Sequence, residues 1–280
     1  MIAQLVSAVV RAILVVIVIS TPSLLLPGSA PESAQVVALV ALFGGFFTFS
    51  EYASSYPALI EFRDAPPFNR VRAVCIFLTL FLLSLVVASG DAPQSLSLIV
   101  NATGLVVAHA IDFPYSPIGL LSTLLSGEVS PGDLTMLRTM GGLSFLIGLV
   151  TLSVFAVLMR ARGWPNRNAS FNVWVNLPTF DPTIGGDVVA RLTRDSRINY
   201  ILGFVLPFLM PVMASIGARH LGLSLMASPQ TLVWMVTLWS FLPVSLFMRG
   251  MAMARIAALI TARRKHIVRQ LDRHGDLLPV

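Results

Sequence analysis

One apolar stretch of this chain contains ionisable side chains that could bind an ion or transfer a proton, and they lie between residues 101 and 115. His109 and Asp112 are three residues apart, so a helix would present both on one face, with Asn101 and Tyr115 as polar neighbours. An ionisable group at membrane depth costs about 3 kcal/mol or more and commonly marks an ion or proton path. These four residues therefore form a candidate intramembrane polar site. The competing interpretation is structural: Asp112 marks the interface, and His109 binds a neighbouring carbonyl group.

No motif of a known catalytic or metal site occurs in the sequence. The patterns HExxH, CxxC, GxSxG, GxGxxG and the Walker loop are all absent. Cys75, the single cysteine, lies in an apolar run and is predicted to be a small buried side chain. The sequence thus predicts no cofactor, no metal and no catalytic residue, and it favours a protein that is not an enzyme.

The composition requires a surface that faces lipid. Hydrophobic residues make up 56% of the 280 residues and charged residues only 11%, whereas soluble domains carry about 25% charged residues. Of the 19 basic residues, six lie in the segment 160–197, seven follow residue 248, and three, Arg63, Arg70 and Arg72, share one loop. Cytoplasmic loops of membrane proteins carry such an excess of arginine and lysine. This distribution explains the net charge of +6 without nucleic acid. It predicts a multi-pass protein of the inner (plasma) membrane with both termini in the cytoplasm.

We predict an all-α fold, a polytopic transmembrane helical bundle with six full spans. The predicted spans are residues 12–31, 33–50, 73–89, 139–159, 198–218 and 225–248. The segment 95–133 must begin and end on the outer side if both neighbouring arginine-rich loops are inside. The 15 charge-free residues between Asp112 and Glu128 would make a helix of about 22 Å, short of a hydrocarbon core of about 30 Å. A re-entrant or partly inserted helix pair over 95–126 is therefore favoured over two full crossings.

The arginine-rich loop at 160–197 and the basic tail at 249–280 form the predicted cytoplasmic surface. Asp187 is a suitable N-cap for a helix over 188–197, and the last span is predicted to continue as a helix into the tail. The residues assigned to this basic surface are Arg191, Arg194, Arg197, Arg263, Arg264 and Lys265. Each basic residue close to anionic lipid head groups contributes about 1 kcal/mol of binding, so the lipid bilayer is one predicted partner. A membrane-protein partner is the other.

Two functional classes fit these features. The first is a non-enzymatic component that docks to or stabilises a membrane complex, as the basic loop, the basic tail and the missing catalytic motifs indicate. The second is a small-solute transporter or channel subunit with its site at the broken pair 95–126, since discontinuous transporter helices place their ends at binding sites. The sequence favours the first.

Overall fold

The computed structural model describes most of the chain, and the described residues contain eight α-helices and no strand. The described ranges are residues 2–26, 31–56, 58–90, 95–125, 130–161, 163–165, 176–180, 185–221 and 228–274. The helices are α1 (Ile2–Leu25), α2 (Pro31–Ala53), α3 (Phe68–Ala88), α4 (Ser95–Ile111), α5 (Pro117–Leu125), α6 (Pro131–Ala161), α7 (Val188–Leu221) and α8 (Pro229–His274). The predicted all-α class is confirmed.

Six of the helices, namely α1, α2, α3, α6, α7 and α8, are long and apolar enough to cross a membrane. Their outer faces expose large apolar side chains such as Ile13 and Ile201, which is typical of a surface in contact with lipid. Several helices extend past the apolar runs that predicted them. The first begins at Ile2, α7 joins the helix that follows Asp187 to the sixth span, and α8 continues through the tail to His274. The architecture is that of a multi-pass membrane protein.

The two short helices, α4 and α5, form the predicted inserted pair. α4 runs beside the first half of α6 and in the same direction, since Gly104 lies against Thr139 and Ala108 lies against Gly142. The backbones touch at these positions: a Cβ atom on Gly104 would lie only 2.5 Å from the Thr139 carbonyl oxygen. Glycine at both positions of the crossing is what allows so close an approach.

α5 returns along α6 towards the start of that helix. Ile118, in the first turn of α5, lies against Gly141, whereas Ser122 accepts a hydrogen bond of 3.2 Å from Nε of Arg138. The chain therefore doubles back beside the first half of α6. With 17 and 9 residues, α4 and α5 measure about 25 Å and 13 Å, so neither helix alone crosses a core of about 30 Å.

One end of the bundle, which we call the arginine face, carries the start of α1, the end of α2, the loop 54–67, the end of α6 and the C-terminal half of α8. Gln4 donates hydrogen bonds of 3.3 Å to the last two carbonyl groups of α2. After α6, Trp164 donates to the Ala65 carbonyl oxygen (3.0 Å) and accepts a hydrogen bond from Arg255 of α8 (3.2 Å). The start of the first helix and the tail thus share one face, which the sequence assigns to the cytoplasm.

Candidate functional site

The residues predicted to form the intramembrane polar site lie along α4 and in the turn that follows it. Asn101 donates from Nδ2 to the Ser97 carbonyl oxygen (2.8 Å) and to Ser89 Oγ (3.3 Å), which ties α4 to the residue after α3. Nδ1 of His109 lies 2.8 Å from the Leu105 carbonyl oxygen, one turn earlier in the same helix. Asn101 is therefore bonded to its own helix and to the residue after α3, and His109 has its contact within its own helix.

Asp112 and Tyr115 lie in the turn between α4 and α5. The Asp112 carboxylate is 3.8 Å from the Arg138 guanidinium, while Tyr115 is 83% exposed and has a φ of 65°. Asn101 and His109 are eight residues apart, about 12 Å along the helix axis. Within the described ranges, no hydrogen bond or ion pair joins any two of these four residues. Their shared role as a site stays a prediction.

The cavity beside this helix pair is apolar. It has a volume of about 400 Å³ and is lined by Phe113, Pro117 and Trp239, among others. Nε1 of Trp239 donates a hydrogen bond of 2.9 Å to the Pro207 carbonyl oxygen. That carbonyl lacks the usual helical donor, because Pro211 follows four residues later and has no N–H group. The indole thus stabilises the proline-interrupted helix, as membrane helices with internal prolines require.

The predicted basic surface lies on α7 and on the tail part of α8. The Arg191 guanidinium stacks 4.6 Å from the centroid of the Phe180 ring, and Arg194 pairs with its neighbour Asp195 at 3.1 Å. The first interaction neutralises no charge and the second neutralises one, so the net charge of this surface stays strongly positive. The exposed members of the predicted set are Arg194, Arg197, Arg263, Arg264 and Lys265.

One ion pair joins the α7 part of this surface to the tail. Arg264 lies 2.7 Å from Oδ1 of Asp187, while Oδ2 of Asp187 accepts a hydrogen bond of 3.3 Å from the Ala190 backbone N–H. Asp187 therefore caps α7, as predicted. The hydrogen bond from Arg264 is the main reason that the pKa of Asp187 lies below its ordinary value. The pair places Arg264 level with the first residues of α7.

A polar network closes the arginine face. Nε and one terminal nitrogen of Arg249 lie 2.6 and 2.7 Å from the two carboxylate oxygens of Glu61, which is a bidentate ion pair. The same carboxylate accepts a hydrogen bond from Thr179 Oγ1 (2.9 Å), and Arg249 also donates to Asn199 Oδ1 (3.3 Å). Glu61 thus connects the loop 54–67 to three other parts of the protein. These are the arginine-rich loop at Thr179, the helix α8 at Arg249 and, through Arg249, the helix α7 at Asn199.

A second carboxylate shapes the loop 54–67. Glu51 is only 8% exposed, and its two oxygens accept hydrogen bonds of 3.0–3.2 Å from the backbone N–H groups of residues 58–60. Arg63 donates to the backbone carbonyl oxygen of Glu51 at 2.8 Å. These bonds fold the loop back onto the end of α2, and they set the position from which Glu61 reaches α8.

Beside this network lies a cavity of about 1450 Å³, between the α1–α2 pair and the helices α3 and α8. Most of its lining is aliphatic or aromatic. The polar groups gather at the arginine face, where the Arg11 guanidinium lies 4.5 Å from the Tyr52 ring centroid. The charged lining residues are Arg11, Glu61, Arg70, Arg72 and Arg249.

Arg72, one turn inside α3, packs against two aromatic rings. Its guanidinium carbon lies 5.5 Å from the Phe68 ring centroid and 5.7 Å from that of Phe241 in α8. Its Nε is buried and has no hydrogen-bond partner among the described residues. Aromatic faces attract a guanidinium but accept no strong hydrogen bond from it. The side chain therefore retains donors for another group.

Comparison with known proteins leaves the function to be inferred from the chain itself. No protein family model, curated protein or solved structure matches this chain. Within the described ranges, no three His, Cys, Asp or Glu side chains are grouped so that they could hold a metal ion. The carboxylates of Glu51 and Glu61 are each held by several hydrogen-bond donors. These donors fix both carboxylates in place, and the carboxylates in turn hold the loop 54–67 against α2 and α8.

Sequence reasoning treated Arg72 and Arg249 as signals of topology and gave Glu61 no role, so it missed the three residues as a cluster. One signal was available for Arg72, because it directly precedes the predicted third span at residue 73. An arginine at the edge of a span snorkels towards the interface when it can. The contact with Phe241, in a helix more than 150 residues away, holds it among rings instead.

Proposed function

We propose that the protein is a non-enzymatic membrane component that docks to a partner protein through the tail of α8. The continuity of this helix carries the proposal. Its 46 residues form one helix of about 69 Å, more than twice a hydrocarbon core of about 30 Å. Because Arg264 is level with the start of α7, the segment after it extends beyond the neighbouring helix. An unbroken helix that crosses the bilayer carries its end away from the lipid surface.

The extended tail has the chemistry of a protein-binding surface. Ile267, Val268 and Leu271 are 49%, 55% and 43% exposed and form an apolar stripe on one side of the helix. A stripe held away from the bilayer is not covered by lipid. Basic residues flank it, namely Arg263, Arg264 and Lys265. The complementary partner surface is a helix or groove with an apolar centre and acidic edges.

Co-purification from native membranes in mild detergent tests this proposal. The double substitution Ile267→Ser and Leu271→Ser should release a partner that the unmodified protein retains in stoichiometric amount, because it removes the apolar stripe. Arg269→Lys is the matched control, since it keeps the charge and lies on the opposite side of the tail helix. It should retain the partner. Docking is contradicted if the unmodified protein is recovered alone, even after cross-linking in intact cells.

A small-solute transporter or channel subunit is the second candidate, favoured by the doubling back of α4 and α5. In that case Asp112→Asn and His109→Ala should reduce uptake severalfold, or slow growth, while expression stays normal. The effect of Asp112→Asn should be the larger, because it also leaves Arg138 without its counter-charge. Unchanged flux in both variants would remove the predicted site at 95–126.

A further inference from the structure

We propose that the cavity at the arginine face binds a phosphate-headed amphiphile, with the phosphate held by Arg72 and the hydrocarbon chain held along α1 and α2. This site is separate from the tail of α8, and the proposal does not depend on docking. Three properties of the cavity lead to it: the unsatisfied arginine, the excess of positive charge, and the large apolar volume.

Arg72 lacks the partner that its environment requires. An arginine among aromatic rings at the edge of a membrane span has lost much of its hydration, and its Nε is buried without a hydrogen-bond acceptor. A buried hydrogen-bond donor without an acceptor destabilises the folded protein, so such a donor is expected to have a partner. The planar guanidinium matches the oxygens of a phosphate or carboxylate in a bidentate arrangement. The missing partner is therefore an anion that enters through the cavity.

The charge around the cavity favours phosphate over carboxylate. Four arginines and one carboxylate line it, and that carboxylate, Glu61, is occupied by Arg249. An excess of three positive charges remains on Arg11, Arg70 and Arg72. A phosphate monoester brings between one and a half and two negative charges at neutral pH, whereas a carboxylate brings one. The more highly charged anion balances the site better.

The rest of the cavity has the apolar lining and the size that a hydrocarbon chain of a ligand requires. Side chains such as Leu14, Val18, Val40 and Phe47 line it away from the arginines. Its volume of about 1450 Å³ exceeds the roughly 300–1,000 Å³ of pockets that take drug-sized ligands. A free phosphate ion would leave this apolar volume unfilled. A ligand with one or two hydrocarbon chains fills it while its head group meets the arginines.

Thermal unfolding of the purified full-length protein in detergent tests this assignment with three probes: dioleoyl phosphatidate, dioleoyl phosphatidylcholine and inorganic phosphate. A ligand that binds only the native state raises the unfolding midpoint as its concentration increases. We expect phosphatidate to raise the midpoint and the other two, one zwitterionic and one without a chain, to raise it far less. An equal shift with phosphatidylcholine would refute recognition of the phosphate monoester. An equal shift with inorganic phosphate would refute the role of the chain.

Two arginine variants then locate the site. Arg72→Gln should weaken phosphatidate binding roughly 10- to 100-fold, while the midpoint without ligand stays the same or rises, because an uncompensated charge has been removed. Arg160→Gln is the matched control, since Arg160 is exposed, does not line the cavity and lies outside the set assigned to the basic surface. Its phosphatidate binding should be unchanged. If Arg72→Gln binds phosphatidate as tightly as the unmodified protein does, the proposal is overturned.

A variant at the apolar end keeps the proposal testable if Arg72→Gln does not yield folded protein. Val40 lines the cavity and is 52% exposed, so a larger side chain fits there without disturbing a packed core. Val40→Trp should reduce phosphatidate binding by filling the space of the chain. Binding that is unaffected by this substitution contradicts the placement of the chain.

Discussion

Replacing Glu61 by glutamine should lower the free energy of unfolding by about 2–4 kcal/mol, measured through the thermal unfolding midpoint in detergent and a denaturant titration. The Glu61 side chain is 12% exposed and that of Arg249 is 31% exposed, so water compensates only part of the charge left on the arginine. Glutamine keeps one acceptor oxygen but turns an NH₂ group towards the guanidinium. Loss of one partner from a mostly buried ion pair is costly mainly because the other charge remains.

Two further variants isolate this effect. Asp64→Asn is the matched control, because Asp64 pairs with Arg63 in the same loop at 3.2 Å but is 57% exposed; its cost should stay below about 1 kcal/mol. Combining Glu61→Gln with Arg249→Met should recover part of the loss, since the unpaired charge is removed as well. If Glu61→Gln unfolds at the same midpoint as the unmodified protein, the pair does not hold the loop 54–67 on α8.

The fold class and the number of long helices could be predicted from the sequence because both depend on local composition. A charge-free run of about 20 residues is long enough to identify a span without knowledge of its neighbours. The inserted pair was predictable for the same reason, since Asp112 and Glu128 bracket a run too short to cross. The cap of α7 is also local, because Asp187 bonds to a backbone group only three residues away.

The contacts of the arginine face could not be predicted, because they depend on which helix ends meet. Glu61 and Arg249 are 188 residues apart, and neither local pattern points to the other. Arg72 carries the same sequence signal as any arginine beside a span, and its enclosure depends on Phe241. His109 has a contact that its spacing alone does not reveal. That spacing from Asp112 predicts a shared site, and the structure adds a carbonyl oxygen of its own helix at hydrogen-bonding distance from the ring nitrogen.

Replacing Gly142 by alanine should lower the free energy of unfolding by about 3 kcal/mol, at the upper end of the usual cost of overpacking. A Cβ atom at this position would lie 2.5 Å from the Ala108 backbone nitrogen and 2.9 Å from its Cα, and it would overlap the Gly104 carbonyl oxygen. All three are backbone atoms of α4, so no change of rotamer relieves the overlap. The whole of α4 must move away from α6, and the inserted pair loses its closest contact.

Gly217→Ala in α7 is the matched control for this prediction, and the thermal unfolding midpoint in detergent is again the measurement. No atom lies within 4 Å of the position that its Cβ would take, so alanine should be neutral there or stabilise the helix by up to about 1 kcal/mol. Gly142→Ala receives the same gain in helix propensity, and the difference between the two variants therefore reports the clash alone. Equal midpoints for the two would mean that α4 does not cross α6 at Gly104 and Gly142, and the partly inserted pair would have to lie elsewhere.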